Sequence, residues 1–271
     1  ETGVGSPRGQ SVIPDTPPTE CGGDPLIGQI IVMGISLTSP KAIARSIAIA
    51  SNTSEESMSQ YPKSVTIGIG ALTIEEVVAI ARYGAQVENS EDALKAVAET
   101  RERIEELANQ ETPVYGVSTG FGALAKRHIP AELRTQLQSS LVRSHAAGSG
   151  PEIEKEVIRA LMTLRLSTLC TGRTGVRPVV VETYAQLLNA DITPVVKEYG
   201  SLGCSGDLAP LAHCALALLG EGQVRVGDSS PVDAAQALSQ ASIAPLTLHE
   251  KEGLALSLIH ISEPTRQEAI S

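Results

Sequence analysis

The segment that most constrains this chain is a glycine-rich stretch at residues 198–210, with the sequence EYGSLGCSGDLAP. Its glycines and serines allow the backbone to turn tightly and to approach other segments closely. The apolar run that follows predicts a helix, with Asp207 as its N-cap, Pro210 in its first turn and Gly220 as its stop. Ser205 is therefore expected just before the positive end of a helix.

The order small residue, serine, glycine permits a backbone cyclisation at Cys204, Ser205 and Gly206. The Gly206 amide nitrogen is unhindered because glycine has no side chain, so it can attack the Cys204 carbonyl carbon. Loss of two waters, including the Ser205 hydroxyl, would leave a methylidene-imidazolone ring, an electrophile made from the chain itself. A helix N-terminus would favour negative charge developing on this ring. From these residues alone, a glycine turn that only leads into a helix remains the alternative.

The composition favours a mainly α-helical chain. Of the 271 residues, 42% are hydrophobic but only 2% are aromatic, so the core must be aliphatic and rich in alanine, which favours close-packed helices. A net charge of −10 argues against nucleic acid or an anionic membrane as a partner. The irregular spacing of the cysteines fits neither a disulfide framework nor a metal site. We therefore expect a reducing, cytoplasmic setting. The cysteines are Cys21, Cys170, Cys204 and Cys214.

Helical patterns recur through the middle of the chain. Thr73 and Glu76 form a predicted capping box, and Ser90 opens a second helix whose charged run at residues 101–106 is expected to be a solvated face. Further helices are predicted at residues 151–169, 179–189 and 232–241, with a loop at 224–231. The glycine link at residues 172–178 either binds an anion or only reorients the chain.

A second glycine loop, at residues 113–122, contains GVSTG, which fits the nucleophile elbow of serine hydrolases. Ser118 would then be the nucleophile, with His213 or His145 as its base. That interpretation requires a buried strand before the serine and a helix after it, and neither is clear in the sequence. His145 lies among small residues and is either a structural histidine or a ligand.

The motifs GSLGCSGDLAPLAH (residues 200–213) and YGVSTGFG (residues 115–122) closely resemble signature segments of the histidine and aromatic amino-acid ammonia-lyases. The resemblance covers about residues 65–256. In that family a tripeptide of Ala, Thr or Cys followed by Ser-Gly becomes a methylidene-imidazolone group. The resemblance therefore implies this ring at residues 204–206, no external cofactor, and a helical lyase fold with irregular glycine loops around the site.

The resemblance also implies roles for individual residues. Tyr115 matches the tyrosine that removes the substrate β-proton, a role that requires nearby positive charge or hydrogen bonds because tyrosine is normally a poor base. Histidine lyases carry Ser-His where tyrosine and phenylalanine lyases look like His-Leu or Phe-Leu, so His145 would contact the substrate imidazole. Asp207 and Gly120 would support the site. The implied reaction converts L-histidine to trans-urocanate and ammonia.

The ends of the chain differ from its middle. Residues 1–57 are rich in Gly, Pro, Ser and Thr, and their apolar run is too short to span a bilayer, so we expect a disordered or extraneous leader. Residues 58–256 would form the amino-terminal portion of the lyase domain. Residues 257–271 resemble a read-through tail in which His260 has no catalytic role.

The resemblance implies that further site residues lie beyond this chain. Family members continue into a segment whose asparagine holds the ring, and then into long helices that form a homotetramer and supply an arginine and a glutamate to the site. Residues 257–271 do not match that continuation. We therefore expect a truncated lyase or, as the alternative, an inactive helical fragment of one.

Overall fold

The computed structural model describes residues 60–201 and 207–257. Helices form most of the regular structure in these two ranges, so the predicted mainly α fold is confirmed. The predictions for the leader, for Cys204, Ser205 and Gly206, and for His260 in the tail lie outside the described residues.

Eight α-helices occur within the described ranges. They are α1 (Ile74–Ala81), α2 (Glu91–Ala108), α3 (Ala131–His145), α4 (Lys155–Cys170), α5 (Pro178–Asn189), α6 (Leu208–Leu218), α7 (Ala234–Gln240) and α8 (Glu252–Ser257).

Short strands join the helices in three small sheets. They are β1 (Ser64–Ile67), β2 (Gln86–Asn89), β3 (Ser149–Glu152), β4 (Ile192–Pro194), β5 (Lys197–Tyr199), β6 (Gln223–Val226) and β7 (Val232–Asp233). β1 and β2 are parallel because α1 crosses between them, with Val65 opposite Val87. β3 pairs antiparallel with β5, and β6 lies between β4 and β7.

The main hydrophobic core surrounds α4 and α5. α4 packs against α1, α2 and α5, and its buried residues include Met162, Leu166 and Leu169. Tyr184 and Leu187 of α5 are fully buried beside them. Aliphatic side chains dominate this core, as the low aromatic content predicts.

Local helix signals in the sequence are confirmed. The Thr73 amide donates to Glu76 Oε2 (2.7 Å), and the Glu76 amide donates to Thr73 Oγ1 (3.2 Å), which is the predicted capping box of α1. Ser90 caps α2 by accepting from the Ala93 amide at 3.2 Å.

Long-range contacts overturn three local predictions. Arg101, expected on a solvated face, is buried at 5% exposure because it donates to the Glu250 carbonyl. The helix predicted from residue 151 starts only at Lys155, since the preceding residues pair as β3 with β5. The loop predicted at residues 224–231 begins as a strand, because β6 pairs on both sides.

Two of the cysteines can be described. Cys170 and Cys214 are free thiols, and burial raises the pKa of each to about 12. Both are therefore protonated near neutral pH and pack as small apolar groups. Residues 60–201 and 207–257 contain no group of three or more His, Cys, Asp or Glu side chains placed to hold a metal ion. Over the same residues, no helix has the length and apolarity needed to cross a membrane.

Candidate active site

The helix that follows the glycine-rich stretch forms as predicted. Asp207 is the N-cap of α6, and Pro210 lies in the first turn. The helix ends at Leu218, and Gly220, with φ of +75°, turns the chain away. The positive end of α6 therefore lies one residue after Gly206 in the sequence.

Gly148, in the loop after α3, lies close to Gly200, which precedes residues 202–206, and its amide donates to Nε2 of His213 in α6, which follows them. A Cβ added at Gly200 would lie 3.1 Å from Gly148 Cα and 3.0 Å from Ala209 Cβ. Gly200 precedes the segment, and Ala209, in the first turn of α6, follows it. Glycine is favoured at residue 200 because its φ of +154° is rarely adopted by residues with a side chain, and a Cβ there would also be crowded. The two flanks and the loop after α3 thus meet at one point.

His145 is the last residue of α3, three positions before this meeting point. Its ring is partly buried, and its Nδ1 atom has no hydrogen-bond partner among the residues that the structure describes. Burial lowers the pKa of His145, which favours the neutral imidazole. A neutral ring can donate from one nitrogen and accept at the other.

His213 connects α6 to the loop after His145. Its Nε2 accepts a hydrogen bond from the Gly148 amide at 3.1 Å, so this nitrogen carries no proton in the observed arrangement. Burial, and then the positive charge of Lys197, lower the pKa of His213. The sequence motifs indicate His213 only as a possible base for a hydrolase. No local pattern indicates its contact with Gly148, because the two residues are 65 positions apart.

Tyr115 lies in a turn and is 47% exposed, with the Phe121 ring packed edge-on at a centroid distance of 6.1 Å. The next residue, Gly116, has φ of +71°, and a Cβ there would lie 2.5 Å from Leu254 Cδ2 of α8. Gly120 is similarly tight, since its Cβ would lie 2.5 Å from the Leu124 Cβ. The glycines therefore allow this loop to pack closely against α8 and against itself, while the Tyr115 side chain remains partly exposed to solvent.

The structure contradicts the serine hydrolase alternative. Ser118 is 0% exposed, and its Oγ accepts from the Val114 amide at 2.9 Å. A nucleophile elbow requires a strand before an exposed serine and a helix after it. Ser118 instead lies at the end of a turn at residues 115–118, and the next helix is a short 3₁₀ helix, Gly122–Leu124.

The anion-binding alternative for residues 172–178 is also disfavoured. Arg177 donates from Nε to Glu252 Oε1 at 2.8 Å and from Nη2 to Glu252 Oε2 at 2.9 Å. Glu252 is fully buried, so this bidentate pair neutralises the arginine and ties the start of α5 to α8.

Comparison with known proteins then identifies the family. The family model described as aromatic amino acid lyase matches residues 72–257. The chain belongs to the aromatic amino acid lyase family. This agrees with the resemblance found in the sequence motifs and with the helical fold.

Individual relatives within the family differ in their named activity. A histidine ammonia-lyase of Streptomyces coelicolor is 59% identical over 193 residues, which are 71% of this chain and 38% of the relative. The solved tyrosine aminomutase of Streptomyces globisporus is 42% identical with a TM-score of 0.67, covering 72% of this chain and 36% of that one. The histidine ammonia-lyase structure from Trypanosoma cruzi is 35% identical with a TM-score of 0.65, covering 72% and 37%. The chain therefore spans well under half the length of these relatives.

Proposed function

We propose that this chain is the ring-forming portion of an ammonia-lyase that converts L-histidine to trans-urocanate and ammonia. The contacts of Gly148 with both flanks of residues 202–206 carry the proposal, because they bring the segment that follows His145 beside the residues on either side of the proposed ring. Named relatives with histidine ammonia-lyase activity support the choice of substrate.

The described flanks fit a ring at Cys204, Ser205 and Gly206. α6 begins at Leu208, so its positive end would favour electron density that moves onto the ring. Asp207 would support the site from the N-cap position of α6. The methylidene-imidazolone would supply the electrophile that engages the substrate, and the chain would need no external cofactor.

His145 would select the substrate. Its neutral ring has an unpaired Nδ1, and leaving a buried polar atom unpaired costs about 1–3 kcal/mol. The imidazole of L-histidine can form a hydrogen bond there, whereas the ring of phenylalanine cannot. Tyr115 would take the substrate β-proton on its phenolic oxygen, and Gly120 would keep its loop compact.

The first test is the intact mass of the purified chain. Ring closure removes two waters, so the expected mass lies below the sequence mass by that amount. Ser205→Ala should restore the unmodified mass because the hydroxyl that leaves is missing. An unmodified wild-type mass in a folded, helical sample would contradict the proposal.

The second test is turnover of L-histidine, followed by the ultraviolet absorbance of urocanate. Tyr115→Phe should keep the mass deficit but reduce turnover by about 10²–10⁴-fold, the range expected for loss of a general base. Unchanged turnover would remove Tyr115 from this role. A chain with the ring but without turnover would support the inactive-fragment alternative, since complete family members are proposed to act as homotetramers. A β-amino acid product would favour the aminomutase activity named for one relative.

A further inference from the structure

We infer that Arg134 is the positioning residue for the loop that carries Tyr115, here defined as residues 109–128. The inference rests on the function proposed for Tyr115. Arg134 Nη1 donates to the Ala108 carbonyl at 2.8 Å, and Nε donates to the Ile129 carbonyl at 3.0 Å. Ala108 is the last residue of α2, and Ile129 comes just before α3. One side chain therefore holds both ends of the loop.

The chemistry at each end favours a buried cation. The Ala108 carbonyl is one of the last in α2, where carbonyls lack helical partners and the helix end is negative. Arg134 is only 6% exposed, and water cannot readily replace its hydrogen bonds. Its charge is balanced by Glu250 Oε1 at 3.8 Å, and Glu250 Oε2 lies 3.6 Å from Arg101. Arg134 thus belongs to a partly buried charge cluster with Glu250 and Arg101, and it also binds the carbonyl groups at both ends of the loop.

Contacts inside the loop connect its ends to Tyr115. The Ile129 amide donates to the Ser118 carbonyl at 2.9 Å, and the Gly120 amide donates to the Arg127 carbonyl at 3.2 Å. The Ser118 hydroxyl in turn accepts a hydrogen bond from the amide of Val114, the residue before Tyr115. Movement of Ile129 would therefore be transmitted to the turn that holds the phenol. A general base must lie within hydrogen-bond reach of the proton, so small displacements are costly.

Lysine cannot replace arginine in this role. The guanidinium is a rigid planar fork that presents separate N–H groups to two carbonyls, whereas an ammonium is a single point on a flexible stem. Arg134→Lys keeps the charge beside Glu250 but should lose one of the two loop contacts. Arg134→Met keeps much of the volume and loses both.

The test is ¹⁹F NMR of the purified chain labelled with 3-fluorotyrosine. The chain has five tyrosines, and Tyr115→Phe identifies the Tyr115 resonance. We expect this resonance to move towards free fluorotyrosine in Arg134→Met, as the ring leaves Phe121, and to move part of the way in Arg134→Lys. The resonance of core residue Tyr184 should stay in place.

The matched control is Arg159→Met. Arg159 is as buried as Arg134 and also donates to two carbonyls, those of Ile80 and Leu188, but these lie in α1 and α5. It should leave the Tyr115 resonance unchanged. An equal movement in the Arg159 control, or none in either Arg134 variant, would overturn the inference.

Hydrogen exchange supplies a second measurement if Arg134→Met does not fold. In Arg134→Lys the amides of Gly120 and Ile129 should exchange about tenfold faster, because opening of the loop is local. The amide of Val87 in β2 should exchange at the wild-type rate. Unchanged exchange in the loop would count against the inference. The mass deficit of the ring, measured on the same samples, reports on the proposed function separately.

Discussion

The core around α4 and α5 and the loop at residues 109–128 both contain buried side chains, but different interactions stabilise them. The core excludes water with aliphatic side chains such as Leu166 and Leu187. The loop buries polar Ser118 and Thr119 instead, and bonds them to its own backbone. Apolar packing depends on filled volume, whereas hydrogen bonds depend on particular atoms and angles. The proposed catalytic base, Tyr115, therefore lies in a loop whose backbone is positioned by specific hydrogen bonds and not mainly by apolar packing.

The largest expected effect is in the core. Leu187→Ala should lower the free energy of unfolding by about 2–5 kcal/mol, because it removes apolar contacts and leaves a cavity. Urea denaturation measures the change. Leu133→Ala is the control, since that side chain is 48% exposed and its loss should change stability by less than about 0.5 kcal/mol. Equal effects would contradict the assignment of the core to α4 and α5.

A smaller effect is expected in the loop from Gly116→Ala. A left-handed φ costs a residue with a side chain about 1–2 kcal/mol, and crowding should add about 1 kcal/mol, because the nearest atom is a methyl group at the end of the Leu254 side chain. Gly84→Ala separates the two causes, because Gly84 has a φ of +68° but open space around its Cβ position. Equal losses for the two variants in thermal unfolding would show that α8 does not restrict the loop.

Ser118→Ala tests the buried polar contacts of the loop. It should cost about 1–3 kcal/mol in urea denaturation, since the Val114 amide loses its acceptor. Ser229 accepts from the Val226 amide in an exposed turn, so Ser229→Ala should cost less than about 0.5 kcal/mol. A fluorophosphonate should not label wild-type Ser118, and labelling would revive the hydrolase alternative.

The smallest expected effect is the pH dependence from His213, which joins α6 to Gly148. The folded state lowers the pKa of His213 from its ordinary value of 6.5, so the unfolded chain takes up the proton first. Stability should therefore fall as the pH falls through 6.5 towards the folded-state value. His145 has the same sign, because burial lowers its pKa too.

His213→Gln keeps an acceptor without a titrating ring, so stability should vary less between pH 7 and about pH 5.5 than in the wild type. Urea titrations at several pH values provide the comparison. The titrations should stay well above pH 4.5, because Glu152 and Glu221 begin to contribute to the pH dependence of stability near that pH. Hydrogen bonds from arginine side chains lower the pKa of both carboxyl groups. Parallel profiles for wild type and variant would show that His213 does not couple to folding.

Several helix boundaries follow from the sequence because their signals are local. The Thr73 capping box and the Ser90 cap each depend on residues three positions apart, so α1 and α2 are predicted correctly at their starts. The start of α4 is not, since β3 forms only when β5 is available to pair with it. Arg101 is assigned to the wrong environment for a related reason. Helical spacing in the sequence identifies the charged neighbours of Arg101 within α2, but it does not indicate the contact with Glu250, which is distant in sequence.

The sequence by itself determined the aliphatic helical core, the family motifs and the candidates Tyr115, His145 and residues 204–206. Only the tertiary structure decided that Gly148 lies against both flanks of residues 202–206 and that Arg134 holds both ends of the Tyr115 loop. It also decided against Ser118 as a nucleophile. The physical reason is sequence separation: Gly148 and His213 are 65 residues apart, and Arg134 and Ala108 are 26 apart. Such contacts have no periodicity along the chain and exist only once the helices have packed.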